Sequence, residues 1–191
     1  MVDEASAQVT SLASAMADSD DSAYVLSSDW RILHVNKGWT SFAENNGGLA
    51  TLRRWPVGAR IDDAFVDPLR EFYRDAYQAA LDTGERWEHE YECSSPTEYR
   101  KFRMFVYPVA GSHLLVVNSL IVERPHPGAD HACDAVYTVD GFLTMCANCR
   151  RTFNPRTNRW DWVSAYVERM PARASHGLCP ACIEFYYPVA P

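Results

Sequence analysis

Four cysteines near the C-terminus carry the plainest chemistry in the chain. Cys146-Ala147-Asn148-Cys149 comes first and Cys179-Pro180-Ala181-Cys182 follows. A Cys-x-x-Cys turn aims two thiolates at one centre, and two such turns complete the tetrahedral shell of a Zn²⁺ ion. Four thiolates leave no open position for a reacting water, so the site reads as structural. One pair alone would equally describe a thiol-disulfide oxidoreductase; two pairs flanking one compact segment favour the metal. A redox reading stays open beside it, because thiolates can be oxidised to disulfides with release of the ion. His176 lies three residues before Cys179. It can replace one cysteine as ligand, donate a hydrogen bond to a bound thiolate, or only shape the Ser175-His176-Gly177 turn.

Other residues carry weaker signals. Arg150, Arg151, Arg156 and Arg159 lie beside Trp160 and Trp162, a mixture that can bind nucleic acid in the manner of a zinc ribbon. The net charge of -7 opposes that, and a solvated loop is the simpler account. Glu88, Glu90 and Glu92 are evenly spaced strand carboxylates, a solvated face and not an acid/base pair. His34, His89 and His113 fall on or beside expected strands, and His89 shares a face with Trp87 and Tyr91, within reach of a pocket. No nucleophile elbow, phosphate-binding glycine loop or His-Glu metalloprotease helix occurs, so the chain is expected not to be an enzyme.

The elements that position these residues can be read from periodicity. Residues 1–21 form either a frayed tail or an N-terminal helix with Val9, Leu12 and Met16 at helical spacing. Ala23–Leu26 and Ile32–Val35 read as a hairpin around Ser27-Ser28-Asp29-Trp30. Asn36 is a favoured N-cap for a helix over Lys37–Glu44, ended by Asn45-Asn46-Gly47-Gly48. A loop with Pro56 and Gly58 follows. Asp67-Pro68 opens the clearest helix, with Leu69, Phe72, Tyr73, Ala76 and Ala80 as its apolar stripe and Gly84 as its stop. Three strands come next. Trp87, His89, Tyr91 and Cys93 alternate with glutamates, and Phe102, Met104 and Val106 alternate with Lys101, Arg103 and Phe105. Leu114–Val117 is apolar throughout, as in a strand buried on both faces. Trp160, Trp162, Val163, Tyr166 and Val167 suggest a short helix between the cysteine pairs.

This order of elements over Ala23–Val122 resembles a PAS domain. Tyr24-Val25-Leu26-Ser27-Ser28-Asp29-Trp30-Arg31-Ile32-Leu33-His34-Val35-Asn36 is similar to the family's opening hairpin, which commonly ends in Asn before a helix. Thr83-Gly84-Glu85 is similar to the usual entry into its three-stranded meander. The cysteine segments, with Ser175-His176-Gly177-Leu178-Cys179-Pro180-Ala181-Cys182 and then Tyr187-Pro188, resemble the cysteine-rich tail attached to bacterial PAS proteins and response regulators. The resemblance implies bacterial signal transduction and a sensor cavity. Tyr24, Leu26, Phe42, Phe72, Trp87, His89, Tyr91, Phe102 and Met104 are the residues that would line it, unless they fill the core instead. Neither flavin nor heme is expected: Asn148-Cys149-Arg150 lies outside the PAS region, and Pro68–Leu81 contains no histidine.

The chain of 191 residues, 47% of them hydrophobic, accommodates one full domain and a small one. The acidic start Met1-Val2-Asp3-Glu4 is not a signal peptide, and no apolar run approaches the roughly 18 residues of a membrane helix. Clustered thiols fit a reducing cytoplasm. The expected architecture is α+β: a tail or helix over 1–21, a PAS-like antiparallel sheet with flanking helices over 22–123, a linker over 124–133, and a zinc-knuckle module over 134–191. The expected function is non-catalytic signalling. The partners would be a second copy in a homodimer, a histidine kinase or regulator, and a small molecule in the cavity, with neither membrane nor nucleic acid.

Overall fold

A computed structural model describes residues 4–65, 67, 69–109, 112–126 and 133–187. The chain divides into two compact units. Unit 1 is Met1–Tyr91 with Phe102–Ile121, and unit 2 is Glu92–Lys101 with Val122–Pro191.

Unit 1 is organised by an antiparallel sheet with the order β2-β1-β5-β4-β3. Its strands are β1 (Ser22–Ser27), β2 (Ile32–Val35), β3 (Trp87–Glu92), β4 (Glu98–Val109) and β5 (His113–Pro125). β1 pairs antiparallel with both β2 and β5, and Tyr24 stands opposite Val35 on one side and Val116 on the other. The first strand is therefore an interior strand of the sheet, which explains its continuous burial from Ala23 to Leu26. Alternate residues serve two layers. Ala23, Val25, Val109, Leu115 and Val117 form one face, and Val9 and Leu12 of α1 (Glu4–Ala15), with Met16 just after it, pack on it. The N-terminal segment is thus a helix held by a partly buried apolar stripe, each side chain of which contributes less than the about 1.5–3 kcal/mol of a fully buried one.

Asn36 ties three elements together. It caps α2 (Lys37–Asn45) as expected, its side-chain oxygen accepting from Trp39 N at 2.9 Å. The same oxygen accepts from Ala23 N at 2.9 Å, and the amide nitrogen faces the carbonyls of Met16, Ser19 and Asp21 at 3.0, 3.3 and 2.8 Å. Gly38 completes the junction: a Cβ there would stand 2.3 Å from the Asp21 carbonyl oxygen.

Two elements depart from the sequence reading here. The expected loop contains a helix, α3 (Leu49–Arg54), and a 3-10 turn over Ile61–Ala64. α4 (Leu69–Thr83) forms where expected and stops at Gly84, whose φ of 71° suits glycine. Pro68, read as its first residue, lies outside the described residues. The buried stripe of α4 is Leu69, Tyr73, Tyr77 and Ala80, so Tyr77 belongs to the core and Phe72 and Ala76 are only half-buried.

Unit 2 is built on short strands: β6 (Thr138–Val139), β7 (Phe142–Cys146), β8 (Thr152–Asn154), β9 (Arg159–Asp161) and β10 (Ala174–Gly177). They run in the order β10-β7-β8-β9, with β6 also on β7. The helices are α5 (Asp134–Tyr137), α6 (Ser164–Glu168) and α7 (Pro180–Tyr186). Tyr137, Leu143, Met145, Val163 and Tyr166 make its small core. The expected helix over Trp160–Val167 is corrected to a strand followed by a helix. Trp160 pairs with Phe153 across β8 and β9, their rings 5.4 Å apart, and only Ser164–Glu168 turns helical.

The hairpin connection Glu92–Lys101 groups with unit 2, although the sequence reading kept it inside 22–123. The physical reason is a set of contacts within that unit. Trp162 donates its indole N–H to the Pro96 carbonyl at 3.1 Å. The His126 ring stacks on Trp162 at 4.1 Å, and His126 N donates to the Thr97 carbonyl at 2.7 Å. Arg100 pairs with Glu123 at 2.6 Å. The middle of the expected linker, residues 127–132, lies outside the described residues, and Arg124 and Pro125 still belong to β5.

Candidate metal centre

Local folding brings the two cysteine pairs to one point. β7 ends at Cys146, and the turn after it closes tightly: Arg150 N donates to the Cys146 carbonyl at 3.0 Å and Cys146 N to the Arg151 carbonyl at 2.8 Å. Arg150 takes a φ of 62°, a left-handed conformation that lets the backbone fold back beneath the sulfurs. The second pair opens α7. Cys179 precedes the helix, Pro180 fills its first turn, and Cys182 projects one turn on. Parallel pairing of β10 with β7 sets Gly177 beside Cys146, and Ala147 N donates to the Gly177 carbonyl at 2.7 Å. That register carries Cys179 to the first pair.

The result is a cluster of four buried sulfurs, Cys146, Cys149, Cys179 and Cys182, all within 4.8 Å of one another. The thiols are free, and Cys149 Sγ and Cys179 Sγ stand 3.6 Å apart. A disulfide would bring sulfurs to about 2.05 Å. Four ligands at about 2.3 Å from a tetrahedral ion stand about 3.8 Å from each other, so this spacing fits a metal shell.

The surroundings of the sulfurs favour negative charge. Cys179 N donates to Cys146 Sγ at 3.4 Å, and Asn148 Nδ2 donates to Cys182 Sγ at 3.3 Å. Tyr186 O–H holds that amide by donating to Asn148 Oδ1 at 2.9 Å. The Arg151 guanidinium pairs with Glu92 at 3.1 Å. Burial opposes the Arg151 cation, but the Cys149 sulfur and Glu92 outweigh it and hold the guanidinium firmly charged. Among the thiols, hydrogen bonds from Cys149, then Cys179 and Cys182, pull Cys146 far down, while the same crowding, led by Cys146, pushes Cys149 far up. Four adjacent thiols thus resist ionising together until a cation sits among them. The donor set suits a soft or borderline divalent ion.

His176 stands apart from this group. It is exposed on β10, opposite Met145, and the cluster closes with four sulfurs and without its ring. The arginine run divides: Arg150 donates to the Val167 carbonyl and Arg151 to Glu92, while Arg156, which donates to the Ala135 carbonyl at 2.9 Å, and Arg159 are exposed. The sequence does not mark Asn148 and Tyr186 as neighbours of the cysteines, and it reads Arg151 only as part of a basic run and Glu92 only as part of a solvated face.

The nine residues expected to line a cavity all lie in unit 1, most of them in local aromatic contacts. Phe42 meets Phe102 edge-on at 5.4 Å, Tyr91 stacks on Phe102 at 5.6 Å, and Phe72 meets Trp87 at 5.9 Å. His89 stacks on Trp87 at 5.3 Å. Leu26 is fully buried among the core residues. Polar tips converge inside: Tyr24 and Tyr77 hydroxyls lie 3.3 Å apart, Tyr77 O–H reaches Met104 Sδ at 3.3 Å, and Tyr91 O–H donates to Asn118 at 3.0 Å. Burial pushes the Tyr24 phenol up to about 12 and the His89 imidazole down to about 4. Trp30, held at a φ of 68° in the β1–β2 turn, stacks on Tyr77 at 5.5 Å. A separate surface groove of about 360 Å³ runs between α1 and β2, where Val9, Ala13, Leu33 and His34 face it.

No helix among the described residues is long and apolar enough to cross a membrane. No family sequence model matches the chain, and no curated protein sequence matches it. Solved structures do resemble it. A domain of an HTR-like protein from Haloarcula marismortui is 21% identical over 55% of this chain and 100% of its own, with a TM-score of 0.39. The PAS domain of the Cronobacter turicensis quorum-sensing receptor RpfR, in complex with C12:0, is 17% identical over 55% of this chain and 97% of its own, with a TM-score of 0.42. The PAS domain of Bordetella pertussis BvgS is 15% identical over 62% of this chain and 89% of its own, with a TM-score of 0.46.

Proposed function

We propose that this chain is a non-catalytic signal-transduction protein in which a PAS-type sensor unit is joined to a zinc module. The observation that carries the reading is the buried four-sulfur cluster, whose 3.6 Å sulfur separation matches a tetrahedral shell. Cys146, Cys149, Cys179 and Cys182 would hold Zn²⁺, which supplies a cross-link and no open coordination position. His176 is not needed. The sensor half of the reading is supported by the 2-1-5-4-3 sheet, the Asn36-capped helix after the opening hairpin, and buried hydroxyls within an aromatic core. Such a core can admit a small apolar ligand that carries one hydrogen-bonding group, between Tyr24, Tyr77 and Tyr91. The response would pass in the cytoplasm to a second copy of the chain or to a partner such as a histidine kinase or regulator.

A second reading is a thiol switch. Four free thiols at near-contact distance can lose two electrons per disulfide to an oxidant such as a peroxide and release the ion. A nucleic-acid role is disfavoured by the part-buried hydrogen bonds of Arg150 and Arg151. The test is a native mass spectrum of the untagged chain purified in reductant without chelator. One zinc per chain supports the module. A metal-free chain lighter by the hydrogens of two disulfides puts the thiol switch first.

A further inference from the structure

Hydrogen-bond donors reach two of the clustered sulfurs from different sources. Cys179 N–H on Cys146 Sγ belongs to the backbone, and any sequence with this register keeps it. Asn148 Nδ2–H on Cys182 Sγ, at 3.3 Å, belongs to a side chain. Asn148 stands inside the first cysteine pair and donates across to the second. Tyr186 aims it, donating its O–H to Asn148 Oδ1 at 2.9 Å. An amide accepts an O–H only through its oxygen, so this bond turns the nitrogen end towards the sulfur.

Cys182 is the sulfur with most need of such a donor. It is 7% exposed, against 1%, 4% and 3% for Cys146, Cys149 and Cys179. It also lies on α7, which has seven residues, fewer than the about 12–15 that hold a helix by themselves in water. Within α7 only Cys182 and Tyr186 are buried. They stand four positions apart, on one face of the helix. A closed ring results: from Cys182 one turn along α7 to Tyr186, from the phenol to Asn148, and from the amide back to the Cys182 sulfur.

We propose that Asn148, aimed by Tyr186, is a positioning residue that shields the Cys182 sulfur from electrophiles and sets how fast the site loses its metal. An N–H on a metal-bound sulfur occupies a lone pair and draws off charge, which leaves less for an attacking reagent. The ring also keeps Cys182 facing the other three sulfurs when the short helix frays. This inference rests on the zinc reading above.

The test uses the full, zinc-loaded chain with Asn148→Ala, Asn148→Asp and Tyr186→Phe variants. Two quantities are read: zinc release to a chromophoric chelator, and the cysteine of the cluster that takes the first label from brief iodoacetamide, located by peptide mass spectrometry. Asn148→Ala should speed release about 10-fold and raise the share of first labels on Cys182. Asn148→Asp keeps the size and an acceptor for Tyr186 but turns a carboxylate on the sulfur, so it should release zinc faster still. An amide that only fills space predicts the reverse order, and that order would overturn the proposal. Tyr186→Phe keeps the ring and should move release and labelling the same way by less; it carries the test if the Asn148 variants do not fold. Wild-type release and labelling in the zinc-loaded variants, or a rise shared equally by all four cysteines, would overturn this inference alone. A chain that takes up no zinc would overturn the metal reading and this inference with it.

Discussion

The two units reach a folded state by different means. Unit 1 buries a continuous apolar sheet between α1 and an aromatic layer, and its polar junctions, such as Asn36, are few and fully bonded. Unit 2 has a small apolar core, short strands and four thiols at one point. A segment of that size rarely holds together by apolar burial alone, and a metal cross-link can supply what the core lacks. The difference teaches that stability in unit 1 is spread over many side chains, whereas under the proposed metal reading that of unit 2 would be concentrated on one cluster. Perturbations should therefore sort by unit.

Removing the metal should separate them most sharply. Structural zinc can stabilise a small module by on the order of 10 kcal/mol. Cys179→Ser, or a strong chelator, should abolish slow amide exchange in 138–186 while unit 1 keeps its protected strands. Equal loss in both units would erase the contrast. Next comes the Asn36 junction. Asn36→Ala removes the cap of α2 and leaves the buried Ala23 N–H without its acceptor, a cost of about 2–4 kcal/mol. The midpoint of unit 1 in urea should fall while zinc retention stays at the wild-type level.

Acid offers a third separation. His89 titrates near 4 in the folded chain, against about 6.5 when unfolded. The unfolded chain therefore binds the extra proton first, and stability present above about pH 6.5 is lost progressively as pH falls towards 4. The whole shift corresponds to about 3 kcal/mol, less in practice for a half-buried ring. A His89→Asn variant should lose this slope in a urea titration series between those pH values, whereas a wild-type slope would place the acid response elsewhere. The smallest effect is expected at Arg156, whose exposed side chain donates to the Ala135 carbonyl. Arg156→Ala should cost about 0.5 kcal/mol or less and leave affinity for DNA in a salt titration unchanged; a measurable loss of DNA binding would revive the nucleic-acid reading.

Much of unit 1 was legible because local rules act there. The β1–β2 hairpin, the Asn36 cap and the Gly84 stop are short-range signals, and each appears in place. Tyr77 escaped because the expected stripe runs through Ala76 instead, and its burial shows where Tyr24 and Met104 meet its hydroxyl. α3 escaped because it buries no residue of its own. In unit 2 the spacing of the cysteines pointed to one site, and the parallel β7–β10 register explains how it closes. The Glu92–Arg151 contact spans 59 positions, so no local pattern could reveal it. The same holds for Trp162 and Pro96, which draw the hairpin into unit 2.

X-ray absorption at the zinc edge of the full chain, purified in reductant, tests the central claim most directly. The account predicts one zinc per chain with four sulfur neighbours at about 2.3 Å and no nitrogen shell. A nitrogen neighbour at about 2.0–2.1 Å would bring His176 into the site and break the four-sulfur assignment. A chain without zinc would contradict the metal centre itself.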